Sequence, residues 1–523
     1  MFTENEFEDF WQGWSEQEEA NYVIRKNKKG VDTPYYLKKG YTHFDLRFWF
    51  PDRKEELKKI LKNKLRVYNP KHKHDEWWAF SPFLKILLKT PRYKYQPDED
   101  EFDLETKIRP ICFASHIDGL IFGFYSYALT GKYEQYIEKQ GFDKCALAYR
   151  SNLSGNCNIQ FSKEVFDEIR KRGECTAIAL DIKGYFDHIN HDILKEKWSK
   201  VLGGKLPDDQ FKIYKALTQY SYVSKNSILK KYNINLNKFT PPPKTLLELI
   251  PGKKDFEKFQ KLRDDNLVVS NKKPNKKTKT LIGIPQGSGM SALLSNIYLI
   301  DFDKLMNDKA KAEGFMYRRY CDDILIICET EKALELENFA IDIIAKEYFL
   351  EIQPKKVEMT EFKLNSKGKI RAFNKKKIIK DNIALINSAN EKYYYKSLQY
   401  LGFEFNGQDI FIRSSSLSRY FRKMKSRIVK TVSMAYSDKG KSNKVWKEQL
   451  FHRYSHLGKR NFIKYAYNAS KDEYTNSKGE IKKGMNSPSI KKQVRRHFEI
   501  LISTLEKKNI QRSNFKEKKP KNI

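Results

Sequence analysis

The sequence predicts an α+β protein on three observations. An uninterrupted apolar run, Thr176–Leu180, reads as a buried strand. Apolar-flanked runs on both sides of Cys321-Asp322-Asp323 read as a β-hairpin with two adjacent acids at its tip. A glycine-rich stretch, LIGIPQGSG from 281, leads into a helix with apolar residues at 290, 293, 294, 297 and 300.

In the first element, Asp181 ends the strand, Gly184 permits a tight turn and Asn190 can cap the helix that follows. A carboxylate at the end of a buried strand is costly unless it binds a cation or accepts hydrogen bonds. Asp181 is therefore either a capping residue or a cation ligand. In the hairpin, adjacent carboxylates repel, and a purely structural turn would sooner use Asn-Gly or Asp-Gly. A divalent metal removes that repulsion. In the third element, glycines before a helix let a backbone approach a base or sugar closely. An ordinary loop-to-helix transition reads the same way.

Composition narrows the partners. Lys plus Arg number 101 against 66 Asp plus Glu, a net charge of +35 in 523 residues. Such an excess opposes compaction unless a polyanion offsets it, and nucleic acid is the leading candidate. The apolar stretches, such as 324–328, fall far short of the roughly 20 residues needed to span a bilayer. The first twenty residues carry seven acids and no base, unlike a signal or transit peptide. The six cysteines (112, 145, 157, 175, 321 and 328) show no CxxC pair and no finger spacing, and read as reduced core thiols of a cytoplasmic protein.

Charge is also uneven along the chain. Residues 413–523 hold 30 Lys/Arg against 8 Asp/Glu, with aromatics such as Tyr420, Trp446 and Tyr465 interleaved, so this part is expected to fold and face phosphates. The last dozen residues read instead as a loose, solvated tail. The stretch 225–279, with Pro241-Pro242-Pro243 and NKKPNKKTKT, is expected to be an exposed loop with short helices. The stretch 363–380 reads as a basic hairpin or loop.

Taken together and in order, the three elements resemble motifs A, B and C of reverse transcriptases: Asp181 with Phe186, PQGS at 285–288 and YCDD at 320–323. Flanking pieces agree. KIRPICFASHID (107–118) resembles the motif whose arginine touches the incoming triphosphate, LEIQPKKVEM (350–359) looks like motif D, and YLGFEF (400–405) looks like the primer grip. The resemblance covers about 105–410. It implies an α+β right hand: an N-terminal segment (1–60), fingers (61–175), a palm (176–410) interrupted by the 225–279 insertion, and a basic helical thumb and C-terminal region (411–523).

It also implies RNA-templated DNA synthesis with two Mg²⁺ ions held by Asp181, Asp322 and Asp323. Nucleotidyl transfer needs hard oxygen ligands from a few carboxylates and the substrate phosphates. Lys107, Arg109, Phe186, Gln286 and Lys356 would bind the dNTP, and Tyr400, Leu401 and Gly402 the primer. Phe186 stands where these enzymes exclude a ribose 2′-hydroxyl, or is a core aromatic. Lys356 is either the acid for pyrophosphate or a surface lysine.

DIKGYFDHINHDIL looks like group II intron enzymes, and the retron hallmarks are absent. FHRYSHLGKRNFIKYAYNAS (451–470), with FASHID and GFDKCALAYR, looks most like bacterial defence-associated reverse transcriptases of the unknown-group and abortive-infection lineage. That likeness implies protection against phage and a non-coding RNA partner, with a DNA product. An intron-type or domesticated enzyme and an RNA-binding scaffold are the alternatives, and homo-oligomerisation stays open.

Overall fold

The computed structural model describes residues 2–26, 30–38, 40–65, 78–96, 101–153, 155–236, 239, 241, 243–275, 279–383, 386–437 and 445–517. Its centre is a five-stranded antiparallel sheet in the order Ile370–Asn374, Glu358–Leu364, Cys175–Asp181, Asp323–Cys328, Met316–Tyr320. The strand Cys175–Asp181 is buried along nearly its whole length because both faces of the sheet are covered. Side chains alternate across a strand. Accordingly Cys175, Ala177, Leu325 and Ile327 point into one core, shared with the helix Asn158–Arg172 and the C-terminal helices. Ile178, Leu180, Ile324 and Ile326 point into the other, shared with the helices His116–Lys139, Ser291–Tyr298 and Ile300–Glu313. A continuous apolar run is what a strand needs when neither face meets water.

The segment expected to be the fingers is built on the long hairpin Phe83–Gln96/Glu101–Phe113. Two further strands, Ser221–Ser224 and Val268–Ser270, extend its sheet. The stretch 225–279 has the expected short helices, Lys225–Lys231 and Asp255–Asp264, but it also takes part in a small buried core. Val223, Ile228, Leu246, Leu247, Leu249, Ile250 and Leu262 bury themselves against Phe44 and Leu84. Its apolar residues are scattered among prolines and lysines, which hides a core that forms only against the fingers. Pro242 and residues 276–278 of the basic run lie outside the described residues. The stretch 363–380 contains the turn and second strand of the hairpin Glu358–Leu364/Ile370–Asn374, then the helix Lys375–Lys380.

The acidic N-terminal segment forms the helix Glu4–Glu19, started by a capping box between Thr3 and Glu6. It docks on the chain's own basic surface, with Glu6 on Lys132 (2.5 Å), Glu8 on Lys58 (2.6 Å) and Glu4 on Lys62 (2.6 Å). Exposed pairs of this kind contribute at most about 1 kcal/mol each. The burial of Phe7, Trp11 and Trp14 contributes more.

After the sheet comes a small three-stranded unit, Leu398–Tyr400, Phe403–Phe405 and Ile410–Ile412. The 22-residue helix Ser414–Ala435 follows and buries Tyr420, Met424, Ile428 and Val432, one stripe at helical spacing. Its outer face carries Arg419, Lys423, Lys425 and Lys430, all exposed, and the helix contains no acid. Arg422 Nη2 reaches across to the Pro91 carbonyl on the fingers at 3.4 Å. The expectation of a loose tail from 512 fails for its first half: residues up to 517 continue the helix His497–Glu517. Residues 518–523 lie outside the described residues.

Among the described residues no helix is long and apolar enough to cross a membrane. Five of the six cysteines are buried, and Cys157 is half-buried.

Candidate active site

The site forms where two neighbouring strands of the central sheet run out. Asp181, at the end of one, pairs in register with Asp323, the first residue of the next. The turn before Asp323 is tight: Cys321 takes a left-handed φ of 59°, and Ile182 N–H donates to the Asp322 carbonyl at 3.1 Å. The three aspartates of the sequence reading are thereby brought to one edge of the sheet.

Their electrostatics follow from that crowding. Burial, with the Asp181 charge beside it, raises the Asp322 carboxyl above the usual range. Asp323 is pushed up to about 6 by burial and by the charges of Asp322 and Asp181. It still reaches solvent at the turn while protein crowds its other sides.

A cation is already present. Lys356 Nζ sits 2.6 Å from Asp181 Oδ1. The short 3-10 turn Pro354–Lys356 carries it there, and Gln353 N–H donates to the Asp181 carbonyl at 2.8 Å. Among the described residues no three His, Cys, Asp or Glu side chains close into a ready metal cage. Asp181 is committed to the lysine instead.

The turn leaving Asp181 behaves as its residues demand. Gly184 has φ 57°, and Asn190 Oδ1 accepts from the N–H groups of Asp192 and Ile193. The glycine-rich loop is stitched to this turn and to the fingers. Ile284 N–H donates to the Phe186 carbonyl (2.9 Å), and Cys112 N–H to the Gln286 carbonyl (2.8 Å). Gly287 lies so close to the fingers that an added Cβ would stand 2.8 Å from Ile111 Cγ2 and 2.9 Å from the Cys112 carbonyl oxygen. Phe186 is half-buried and packs on the main core with one part of its ring.

Lys107 and Arg109 are two residues apart on the strand Glu101–Phe113 and so share a face. Their strand touches the glycine-rich loop at Cys112, three residues beyond Arg109, where the Cys112 N–H meets the Gln286 carbonyl.

Tyr400, Leu401 and Gly402 form the turn of the three-stranded unit, with φ of 43° and 93° at the last two. Ser162 Oγ donates to the Tyr400 carbonyl (3.3 Å), Asn158 Nδ2 to that of Leu401 (3.2 Å) and Arg413 N–H to that of Gly402 (2.9 Å). Tyr400 is buried with its hydroxyl unpartnered among the described residues, and burial, with the Asp323 charge nearby, raises it.

Residues 140–405, half of the chain, match the family described as reverse transcriptase (RNA-dependent DNA polymerase). The chain belongs to the reverse transcriptases. Among solved structures this reverse transcriptase is similar to an apo telomerase from Candida tropicalis truncated from its C-terminal domain: 9% identity, TM-score 0.36, covering 75% of this chain and 64% of that one. It is also similar to a telomerase from Candida albicans in complex with a TWJ fragment of telomeric RNA: 12% identity, TM-score 0.32, covering 98% and 73%. The chain thus spans less than two thirds of the truncated Candida tropicalis enzyme. No curated protein matches it.

Two features of the reverse transcriptase escaped the sequence reading. One is a cavity of about 1150 Å³ beside the glycine-rich loop, walled by Gly287, Ser288, Tyr149, Tyr41, Arg47 and Trp14. It brings residues from three distant parts of the chain together, so no local pattern announces it. The other is the fully buried pair Arg319–Asp303 beneath the aspartate turn. An arginine inside an apolar-flanked strand was the available signal.

Proposed function

We propose that this reverse transcriptase copies an associated non-coding RNA into DNA as part of defence against phage, in the cytoplasm. Asp181, Asp322 and Asp323 would hold two Mg²⁺ ions. The observation that carries the chemistry is the juxtaposition of Asp181 with Asp323 in register and with the Lys356 ammonium at 2.6 Å. Crowded carboxylates, with the Asp181 charge raising Asp322 and Asp323 and Asp181 itself already paired with a cation, fit hard divalent ions. Bound there, Mg²⁺ supplies an activated primer 3′-hydroxyl and charge neutralisation on the triphosphate.

The chain's own residues do the rest. Lys107 and Arg109 face the triphosphate from the fingers. Gln286 lines the nucleotide from the loop that Cys112 holds. The Phe186 ring lies under the sugar, where it packs against deoxyribose and leaves no room or partner for a 2′-hydroxyl. Lys356 gives its proton to the departing pyrophosphate. Tyr400, Leu401 and Gly402 seat the primer end, and the exposed cations of Ser414–Ala435 track the template–primer backbone. The defence role is supported by the likeness of 451–470 and its upstream companions to the defence-associated lineage.

The test is twofold. Nucleic acid that co-purifies with the chain is sequenced, and Mg²⁺-dependent primer extension is run on the RNA so found. Asp322→Ala with Asp323→Ala is expected to abolish DNA synthesis and phage protection while the fold stays intact. Full synthesis by that variant sinks the site. Protection that survives loss of synthesis makes the protein an RNA-binding scaffold instead.

A further inference from the structure

The turn that presents Asp322 has an unusual foundation. Arg319 and Asp303 are both fully buried, and the guanidinium grips the carboxylate with two nitrogens: Nε to Oδ1 at 2.7 Å and Nη2 to Oδ2 at 2.5 Å. The remaining nitrogen, Nη1, is aimed elsewhere. It donates to the Cys321 carbonyl at 3.0 Å and lies 3.3 Å from Asn296 Oδ1.

Cys321 is the residue held at φ 59°, a region that costs a side chain with a Cβ free energy and persists only where surroundings enforce it. Asn296 in turn donates from Nδ2 to the Ala148 carbonyl at 2.7 Å. The Arg319 backbone bonds on both sides to 145–147: its N–H to the Cys145 carbonyl (2.8 Å), its carbonyl from Leu147 N–H (2.9 Å). Tyr317 adds a hydroxyl bond to Asp303 at 2.7 Å.

A buried ion pair by itself is weak grounds for stability, since apolar residues of like volume often replace it without loss. This pair does something an apolar pair could not. It supplies a donor to the carbonyl of the left-handed residue itself, next to the Asp322 carbonyl that Ile182 N–H holds.

We infer that Arg319, oriented by Asp303 and Asn296, is a positioning residue that clamps Cys321 in its left-handed conformation and thereby sets Asp322 and Asp323 against Asp181. This rests on the reading of those aspartates as the metal-holding group. Arg319 touches neither substrate nor metal. Its effect passes through the backbone of residue 321.

The experiment uses the full chain. Mn²⁺ binding is followed by the EPR signal of the free ion, alongside Mg²⁺-dependent primer extension and thermal unfolding. Arg319→Lys keeps the charge and loses the fork. It is expected to weaken Mn²⁺ binding at least fivefold and lower kcat at least tenfold, with KM for dNTP within twofold of the parent. Adding Cys321→Gly, which reaches φ 59° without a clamp, is expected to recover a large part of both losses. If Arg319→Lys does not unfold cooperatively, the paired replacement Arg319→Met with Asp303→Leu removes both charges together and is read in the same way.

Parent-like metal binding and kcat in either folded variant overturn the inference, as does a loss that Cys321→Gly leaves untouched. Asp322→Ala serves as the control. Mn²⁺ binding indifferent to Asp322 removes the reading of the aspartates and this inference with it. Binding that depends on Asp322 and not on Arg319 removes this inference alone.

Discussion

Lys356 closes an ion pair on Asp181 across 175 positions of sequence, with Nζ 2.6 Å from Oδ1. The pair joins the residue proposed to release a proton to the residue proposed to hold a metal, so each restrains the other until a divalent ion binds.

Two substitutions separate these roles. Lys356→Gln is expected to lower kcat about 100-fold, the low end of what a lost general acid costs, and to lower the half-saturating Mg²⁺ because no ammonium competes for Asp181. Lys356→Arg keeps the ion pair but yields no proton near neutral pH, so it should lose kcat without the change in metal requirement. Unchanged kcat in both variants would make Lys356 an ordinary surface lysine.

The pH dependence of metal use follows from Asp323, whose carboxyl is pushed up to about 6 by burial and its acidic neighbours. Below that pH a proton occupies the carboxylate and must leave before a metal binds. Half-saturating Mg²⁺ should be flat above pH 7 and rise up to about tenfold per unit below 6. Folding of the metal-free chain has the opposite sign. A carboxyl raised from 3.8 to about 6 contributes stability that is fully present below 3.8 and lost as pH rises through 6. Primer extension against Mg²⁺ at several pH values, with melting curves in chelator, checks both halves.

Phe186 packs partly on the core and partly faces outward. Phe186→Val should narrow the preference for dNTP over rNTP by about tenfold or more while DNA synthesis continues at reduced rate. The ratio of kcat/KM values is the measurement, because it does not depend on the folded fraction. An unchanged ratio in an active variant removes the gate.

RNA binding by the C-terminal region is best tested by charge, since Tyr420, Met424 and Ile428 share a core with Phe403 and Phe405 and truncation would open it. Replacing Arg419, Lys423, Lys425 and Lys430 with Gln leaves the buried stripe intact. Affinity for RNA should fall, and the slope of log K against log salt should drop by up to about 3, given roughly 0.7–0.9 per phosphate contact. A slope equal to the parent's moves the binding surface to the fingers.

Much of this protein was legible in the chain because the signals were local. The apolar run before Asp181, the paired acids between two strands and the glycines before Met290 report what a few neighbouring residues must do, and each formed the expected element, except that the helix after the glycines ends at Tyr298 and Ile300 opens a second one. Gly287 shows the boundary: its glycine is visible in sequence, but the Ile111 side chain that requires it is not. What only the tertiary structure decided is who meets whom. The register that sets Asp181 opposite Asp323, the Lys356 contact, the clamp of Arg319 on Cys321 and the strand Val268–Ser270 on the fingers depend on how separate segments pack. Strand period and helix period fix which face a residue occupies, and they repeat identically at every register. The choice among registers is made by burial of the two cores on either side of the sheet, a property of the whole fold.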